Sequence, residues 1–214
     1  MKLTVFGATG GVGGEIVRQA LDAGHQVTAV VRDPARLTVS GDALDVVRTG
    51  LSEGAEDQER MRAAVAGREA VLSGLGARAR KEAGVAERVT RALLSAMRAE
   101  GVRRLVVVSA APVGPDPAGS PLLDRVARAG ISALLRDIYT DLRRMEGLLE
   151  ESGTEWTSVR PPRLVDRPLT GSYRREIGVN PRSGRTISRA DVAHAMLASL
   201  TDPATVRQGV GVAY

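Results

Sequence analysis

The stretch Gly7-Ala8-Thr9-Gly10-Gly11-Val12-Gly13-Gly14 constrains this chain more than any other. It follows the apolar run Leu3-Thr4-Val5-Phe6 and precedes Glu15-Ile16-Val17, the start of an amphipathic segment. A strand, a glycine turn and a helix in that order make a seat for a pyrophosphate. The first glycine forms the tight turn, the middle one lets the backbone approach a ligand, and the last lets the helix pack on the strand. Free N–H groups and the positive end of the helix dipole then face the anion. The spacing is G-x-x-G-x-x-G, not G-x-G-x-x-G. A glycine cluster alone also fits an ordinary strand-to-helix turn. Its place directly after one strand pattern, and about twenty residues before a second, supplies the context the fingerprint requires.

The rest of the chain suits one domain around that seat. Its 214 residues, 43% hydrophobic and 26% charged, are enough for one sizeable core and few for two. There is no cysteine, which excludes disulfide scaffolds and thiolate metal sites and makes the cytoplasm the expected compartment. Met1-Lys2 leads straight into the first strand, so no secretory signal is expected. No apolar run approaches the ~20 residues a membrane helix needs. Two separated histidines, His25 and His194, offer no metal site and are expected to be structural or solvent-facing. The net charge of +5 is carried by scattered arginines, mostly near Asp or Glu in helical stretches. With aromatics at 2% there is no stacking platform for nucleic acid, and an anionic cofactor explains local arginines better than a polyanion does.

Apolar runs alternate with amphipathic segments. Strands are predicted at Lys2–Phe6, Gln26–Val31, Ala43–Val47, Ala70–Ser73, Arg104–Ser109 and Trp156–Arg160. Helices are predicted at Val12–Ala23, Asp57–Ala66, Glu82–Glu100 and Leu134–Glu151, with a last one over Val192–Leu200 after the capping-box pattern Ser188-Arg189-Ala190-Asp191. This order implies an α/β protein with a doubly wound, Rossmann-type parallel sheet. The Pro- and Gly-rich segment from Ala111 to Gly119 reads as a loop, and Arg163–Tyr173, after Pro161-Pro162, reads as irregular. Both leave the carboxyl ends of strands, where doubly wound sheets bind ligands. A small carboxyl-terminal substrate region is therefore expected over roughly residues 161–189 of the single domain.

The end of the second strand bears on the cofactor. An acidic residue there accepts the ribose hydroxyls of NAD, whereas an arginine accommodates the 2′-phosphate of NADP. Here Val30-Val31 is followed by Arg32, then Asp33, with Arg36 one turn on. Arg32 in that position points to NADP(H), because an arginine–phosphate contact is charge-assisted and bidentate. A solvated Arg32 paired with Asp33 is the plainer alternative.

Gly7-Ala8-Thr9-Gly10-x-x-Gly13 with Val30-Val31-Arg32-Asp33 resembles the atypical short-chain dehydrogenase/reductases of the NmrA-like branch. Arg160-Pro161-Pro162-Arg163-Leu164, Leu169-Thr170-Gly171-Ser172-Tyr173 and Ile187-Ser188-Arg189-Ala190-Asp191 are similar to the flavin reductase/biliverdin-IXβ reductase group. The resemblance covers nearly the whole chain. It implies that Gly7, Thr9, Gly10, Gly11, Val12 and Gly13 wrap the pyrophosphate and that Arg32, helped by Arg36, takes the 2′-phosphate. It further implies that Leu75, Gly76 and Arg78 line the cofactor cleft, that Ser109 lies beside the nicotinamide, and that Pro161 and Pro162 hold the nicotinamide end. This chain departs from the group in having Arg163 where a histidine follows the double proline, and Thr49-Gly50 where Gly-Asp follows the third strand.

Arg163 keeps its charge near pH 7, so it can stabilise an anionic oxygen but cannot donate a proton. The main short-chain dehydrogenases use a Tyr-x-x-x-Lys pair. The nearest match here is Tyr139-Thr140-Asp141-Leu142-Arg143, which reads equally as a helix with a partly buried tyrosine. Ser109 has no His–Asp arrangement nearby to make it a nucleophile. The expected activity is NADPH-dependent hydride transfer to a planar conjugated acceptor such as a flavin, a quinone or a tetrapyrrole-like ring. Ser109 and Arg163, and Tyr139 if the tyrosine takes part, are the catalytic candidates, in a monomer or homodimer. A ketoreductase or ene-reductase on the same scaffold, or a non-catalytic NADP(H) sensor, is the alternative. Tyr173 is a candidate aromatic for the acceptor loop, while Phe6 and Trp156 read as core.

Overall fold

Leu3, Thr4, Val5 and Phe6 are wholly buried in strand β1 (Lys2–Phe6), as an uninterrupted apolar run between two helical layers must be. Thr4, the polar member of the run, is satisfied by donating its hydroxyl to the Ala64 carbonyl at 2.6 Å. The computed structural model describes residues 1–52, 54–76, 84–115 and 135–214. Among these, α1 (Gly11–Asp22), β2 (Gln26–Val31), β3 (Leu44–Arg48), α2 (Ala55–Val65) and β4 (Ala70–Ser73) follow β1. Then come α3 (Val85–Ala99), β5 (Arg104–Val108), α4 (Arg136–Glu151), β6 (Glu155–Arg160) and β7 (Arg163–Val165). The chain continues with β8 (Arg174–Ile177), β9 (Thr186–Ser188), α5 (Arg189–Ser199) and β10 (Gln208–Ala213).

Eight strands form one sheet in the order β3-β2-β1-β4-β5-β6-β10-β8. Every neighbouring pair is parallel except β10 with β8. One face packs against α1 and α5 through Ile16, Val17, Val192 and Met196. The other packs against α2, α3 and α4 through Met61, Leu93, Met97 and Leu149. This is a Rossmann-type, doubly wound α/β fold in a single domain. The winding direction reverses between β1 and β4, so their carboxyl ends open a crevice at the switch point.

The six strands of the Rossmann core lie close to where the sequence puts them. The carboxyl-terminal strands do not. Arg163–Tyr173 is not wholly irregular, because Arg163–Val165 is β7, paired in parallel with β9 in a separate two-stranded ladder. A strand of three residues carries too little alternation to be read. β8 is hidden differently: all four residues are exposed and three are charged, a composition that protects a sheet edge from further pairing.

Buried polar groups fasten the end opposite the crevice. Arg104 has no buried carboxylate partner among the described residues. Its guanidinium donates instead to the carbonyls of Glu155, Ser199 and Leu200 and to the hydroxyls of Thr157 and Thr205. A cation on the last carbonyls of α5 also opposes the helix dipole. Burial holds the Arg104 pKa below its ordinary value. Nearer the crevice, Arg160 and Glu146 form a buried ion pair at 2.5 Å, and Ser158 donates to the same carboxylate at 2.7 Å.

Candidate functional site

The crevice is a cleft of about 530 Å³ at the carboxyl edge of β1, β2, β4 and β5. Its floor is the glycine turn. Gly7 has φ of 76°, a left-handed conformation that favours glycine. Its carbonyl accepts from the Gly10 N–H at 2.8 Å. A Cβ on Gly13 would stand 2.1 Å from the Gly7 oxygen, and one on Gly74 would stand 2.8 Å from the Gly13 Cα. Three backbone segments therefore meet with no room for side chains. Gly10 caps α1 without a side-chain bond, and Gly10, Gly11 and Val12 line the cleft beside that helix start. Gly13 serves the packing beneath it.

Arg32 leaves β2 on the rim of the cleft, exposed, with no ion pair among the described residues. Asp33 does not neutralise it. Its carboxylate accepts from the Ala35 N–H at 3.2 Å and caps the short turn Pro34–Arg36. Arg36 is exposed and lies outside the cleft wall, so the structure does not place it with Arg32. Across the cleft, Gly50 and Leu51 form the wall just after β3. Asp57 of α2 shapes that turn, accepting from the Thr49 hydroxyl and Gly50 N–H at 2.8 Å and from the Ser52 N–H at 3.0 Å. Hydrogen bonds from Ser52 and Thr49 hold the Asp57 carboxyl well below the usual carboxylate range.

The far end is built from β4, β5, α3 and α4. Leu75 and Gly76 line it; Arg78 lies outside the described residues, as does the loop beyond Pro115. Ser109 donates its N–H to the Val159 carbonyl at 2.7 Å, which turns the residue into the cleft. Its hydroxyl oxygen is buried and has no partner among the described residues. Tyr139, in the first turn of α4, lines the same wall, and burial raises its phenol above the ordinary value. Arg143 donates to the Pro112 carbonyl at 3.4 Å, and burial, not a neighbouring cation, sets the direction of the Tyr139 shift. Asp141 joins the two helices of this wall, accepting from the Ala86 and Glu87 N–H groups at 3.1 and 2.9 Å as a cap on α3.

Several residues expected at this end lie elsewhere than in the cleft wall. Arg163 is exposed and outside the cleft wall, whereas Leu164 lines it, because successive strand side chains point to opposite faces. Pro161 and Pro162 are also outside the wall. The Pro161 carbonyl instead fixes the neighbouring loop by accepting from the Ala111 N–H at 2.8 Å. Tyr173 packs on α5, with its hydroxyl 2.8 Å from His194 Nδ1 and its ring edge-on to the imidazole, and burial pushes its pKa up to about 12.

Some cleft residues escaped the sequence reading. Arg88 of α3 and Arg189 of α5 both line the wall, as does Gly74. Arg189 sits inside the capping-box pattern, a signal read only as a helix start. Asp191 in the same pattern is wholly buried and does more than cap. It accepts from the Tyr214 hydroxyl at 2.6 Å, the Gly171 N–H at 2.8 Å, the Thr170 N–H at 3.0 Å and the Ser188 hydroxyl at 2.9 Å. Burial alone would raise its pKa, but these hydrogen bonds outweigh it and hold the carboxyl below the usual range. Asp191 thereby ties the 161–189 segment and the final residue to α5. The described residues hold no cluster of metal-ligating side chains and no helix long and apolar enough to cross a membrane.

Comparison with known proteins agrees with this geometry. The uncharacterized protein YwnB of Bacillus subtilis is 29% identical over 95% of this chain and 93% of its own. A crystal structure from Burkholderia pseudomallei, of a candidate exported protein, superposes with a TM-score of 0.81 at 27% identity, covering 100% of both chains. The SP1627 structure from Streptococcus pneumoniae, described as a candidate NADH-flavin reductase, superposes with a TM-score of 0.80 at 22% identity over 100% of this chain and 99% of its own. The family model described as NAD(P)H-binding matches residues 7–203. The chain belongs to this NAD(P)H-binding family.

Proposed function

We propose that the protein is an NADPH-dependent reductase that passes hydride to a planar conjugated acceptor, with flavins, quinones and tetrapyrrole-like rings as the substrate class. One observation carries the reading. A single cleft joins a glycine turn and three arginines, with no carboxylate in its described wall, to an apolar end holding two hydroxyls, Ser109 and Tyr139. The residues suit the cofactor. The turn has space only for backbone, Arg32 stands where a 2′-phosphate reader belongs, and no acidic residue lines the cleft among the described residues. The likeness to a protein described for flavin reduction supports the acceptor class.

NADPH, when bound, supplies the hydride. The chain supplies binding and orientation. Gly11 and Val12, in the first turn of α1, offer backbone N–H groups to the pyrophosphate, and Arg32 takes the 2′-phosphate. The unpartnered Ser109 hydroxyl donates to the carboxamide or to an acceptor oxygen, and the neutral Tyr139 phenol donates beside it. Val108, Leu142 and Leu164 keep that end apolar, which strengthens those bonds. A phenol whose pKa is raised stays protonated and is a poor acid near neutrality, so in this reading Tyr139 donates a hydrogen bond and the proton is assigned to solvent. Arg163 has no role in this reading.

The test is anaerobic NADPH oxidation against riboflavin, FMN, quinones and biliverdin-like rings. Turnover with at least one ring supports the reading. Turnover confined to isolated ketones or enones, abolished by Tyr139→Phe with NADPH binding intact, establishes the carbonyl-reductase alternative that the shared Ser109–Tyr139 wall favours. Tight NADP⁺ and NADPH binding without turnover of any acceptor establishes a sensor.

A further inference from the structure

Arg189 opens α5, far in sequence from the glycine turn, yet its stem lies across Gly11. A Cβ on Gly11 would stand 2.5 Å from Arg189 Cδ and 2.8 Å from its Nε. Gly11 does not have a positive φ, so what a side chain there would meet is this stem and not a backbone restriction. The side chain lines the cleft beside Gly10 and Val12 at the start of α1, which no side chain caps. Its Nη1 is held by Asp166 at 2.5 Å, and Asp166 itself is 88% exposed. An arginine uses five N–H donors, so one carboxylate leaves most of the fork available. Asp166 directly follows β7, whose Leu164 lines the acceptor end of the same cleft.

We propose that Arg189 is a pyrophosphate ligand. It adds a side-chain cation to the glycine turn, and its pair with Asp166 links the cofactor's phosphates to the strand that walls the acceptor. Arg32 distinguishes NADPH from NADH; Arg189 grips the part that the two share. The proposal rests on dinucleotide binding in this cleft and is independent of which acceptor is reduced.

The test is calorimetric binding of NADH and NADPH without acceptor. Arg189→Gln raises both dissociation constants together, by about tenfold, as loss of a charge-assisted contact requires. Arg189→Lys, which keeps the charge, recovers part of the loss. Unchanged constants in a variant with wild-type Tm overturn the proposal, and so does a loss confined to NADPH, which would make Arg189 a second 2′-phosphate reader. Should Arg189→Gln not fold, Arg189→Met keeps an apolar stem across Gly11 and removes only the charged head. The same joint rise is expected, and wild-type affinity for both dinucleotides overturns the assignment.

Discussion

The carbonyl oxygen of Gly7 lies so close to Gly13 that a Cβ there would stand 2.1 Å from it. Strand β1 and helix α1 touch at this point through backbone alone, and Gly74 at the end of β4 closes the same contact. Gly13→Ala must push α1 off the sheet. The expected cost is about 3 kcal/mol, the upper range for overpacking, together with loss of dinucleotide binding. Thermal unfolding and NADPH titration of the variant check both. Retention of wild-type Tm contradicts the contact.

Arg32 is free of Asp33, so its charge is available to a ligand. Arg32→Ala is expected to weaken NADPH by about 2 kcal/mol, or about thirtyfold, and to leave NADH nearly unchanged. Dissociation constants for both dinucleotides check this. Equal loss for the two, or none, removes the 2′-phosphate assignment.

The Ser109 hydroxyl is buried and unpartnered among the described residues, a cost in the free protein and an asset once a ligand accepts its bond. Ser109→Ala should therefore stabilise the ligand-free protein by about 1 kcal/mol while lowering kcat/KM. Chemical denaturation and steady-state rates check the two signs. A variant that is both less stable and fully active contradicts the role.

Tyr139 is held neutral by burial. Its ordinary value is about 10 and is raised here, so the phenol stays protonated throughout the neutral range. A pH profile of kcat/KM should show no tyrosine ionisation between about pH 6 and 9, and Tyr139→Phe should cost about tenfold, the worth of one neutral hydrogen bond. A basic limb near neutrality that Tyr139→Phe removes contradicts the hydrogen-bonding role.

Asp191 carries a depressed pKa in the folded protein. Such a group contributes stability that is present above its unfolded value, about 3.9, and is lost as pH falls through the lower folded value. Asp191→Asn should therefore destabilise the protein at neutral pH and flatten the acid side of its stability profile. Tyr214→Phe, which removes one bond to the carboxylate, should do part of the same. Urea midpoints measured from pH 7 down to the acid limit check this.

That the glycine turn, Arg32 and Ser109 line one cleft is legible because each is a local pattern: a strand run followed by a turn, or a residue at a strand end. The parallel core was legible for the same reason. Arg88, Arg189 and Gly74 were not, because what brings them to the cleft is the sheet order, which no local spacing encodes. Arg163 and Tyr173 show the converse. Their neighbourhood resembles an acceptor loop, but the short ladder β7–β9 gives Leu164 the cleft, and His194 draws Tyr173 onto α5. Asp57 could have been foreseen only by asking what holds the Thr49–Ser52 turn, a contact between separate elements.

The claim that this cleft performs hydride transfer is tested most directly by a single anaerobic turnover of enzyme-bound NADPH mixed with an acceptor ring. Bound NADPH is expected to be consumed only when the acceptor is present, and more slowly when the transferred hydrogen is deuterium. Bound NADPH that stays reduced with every flavin, quinone and tetrapyrrole offered would contradict it.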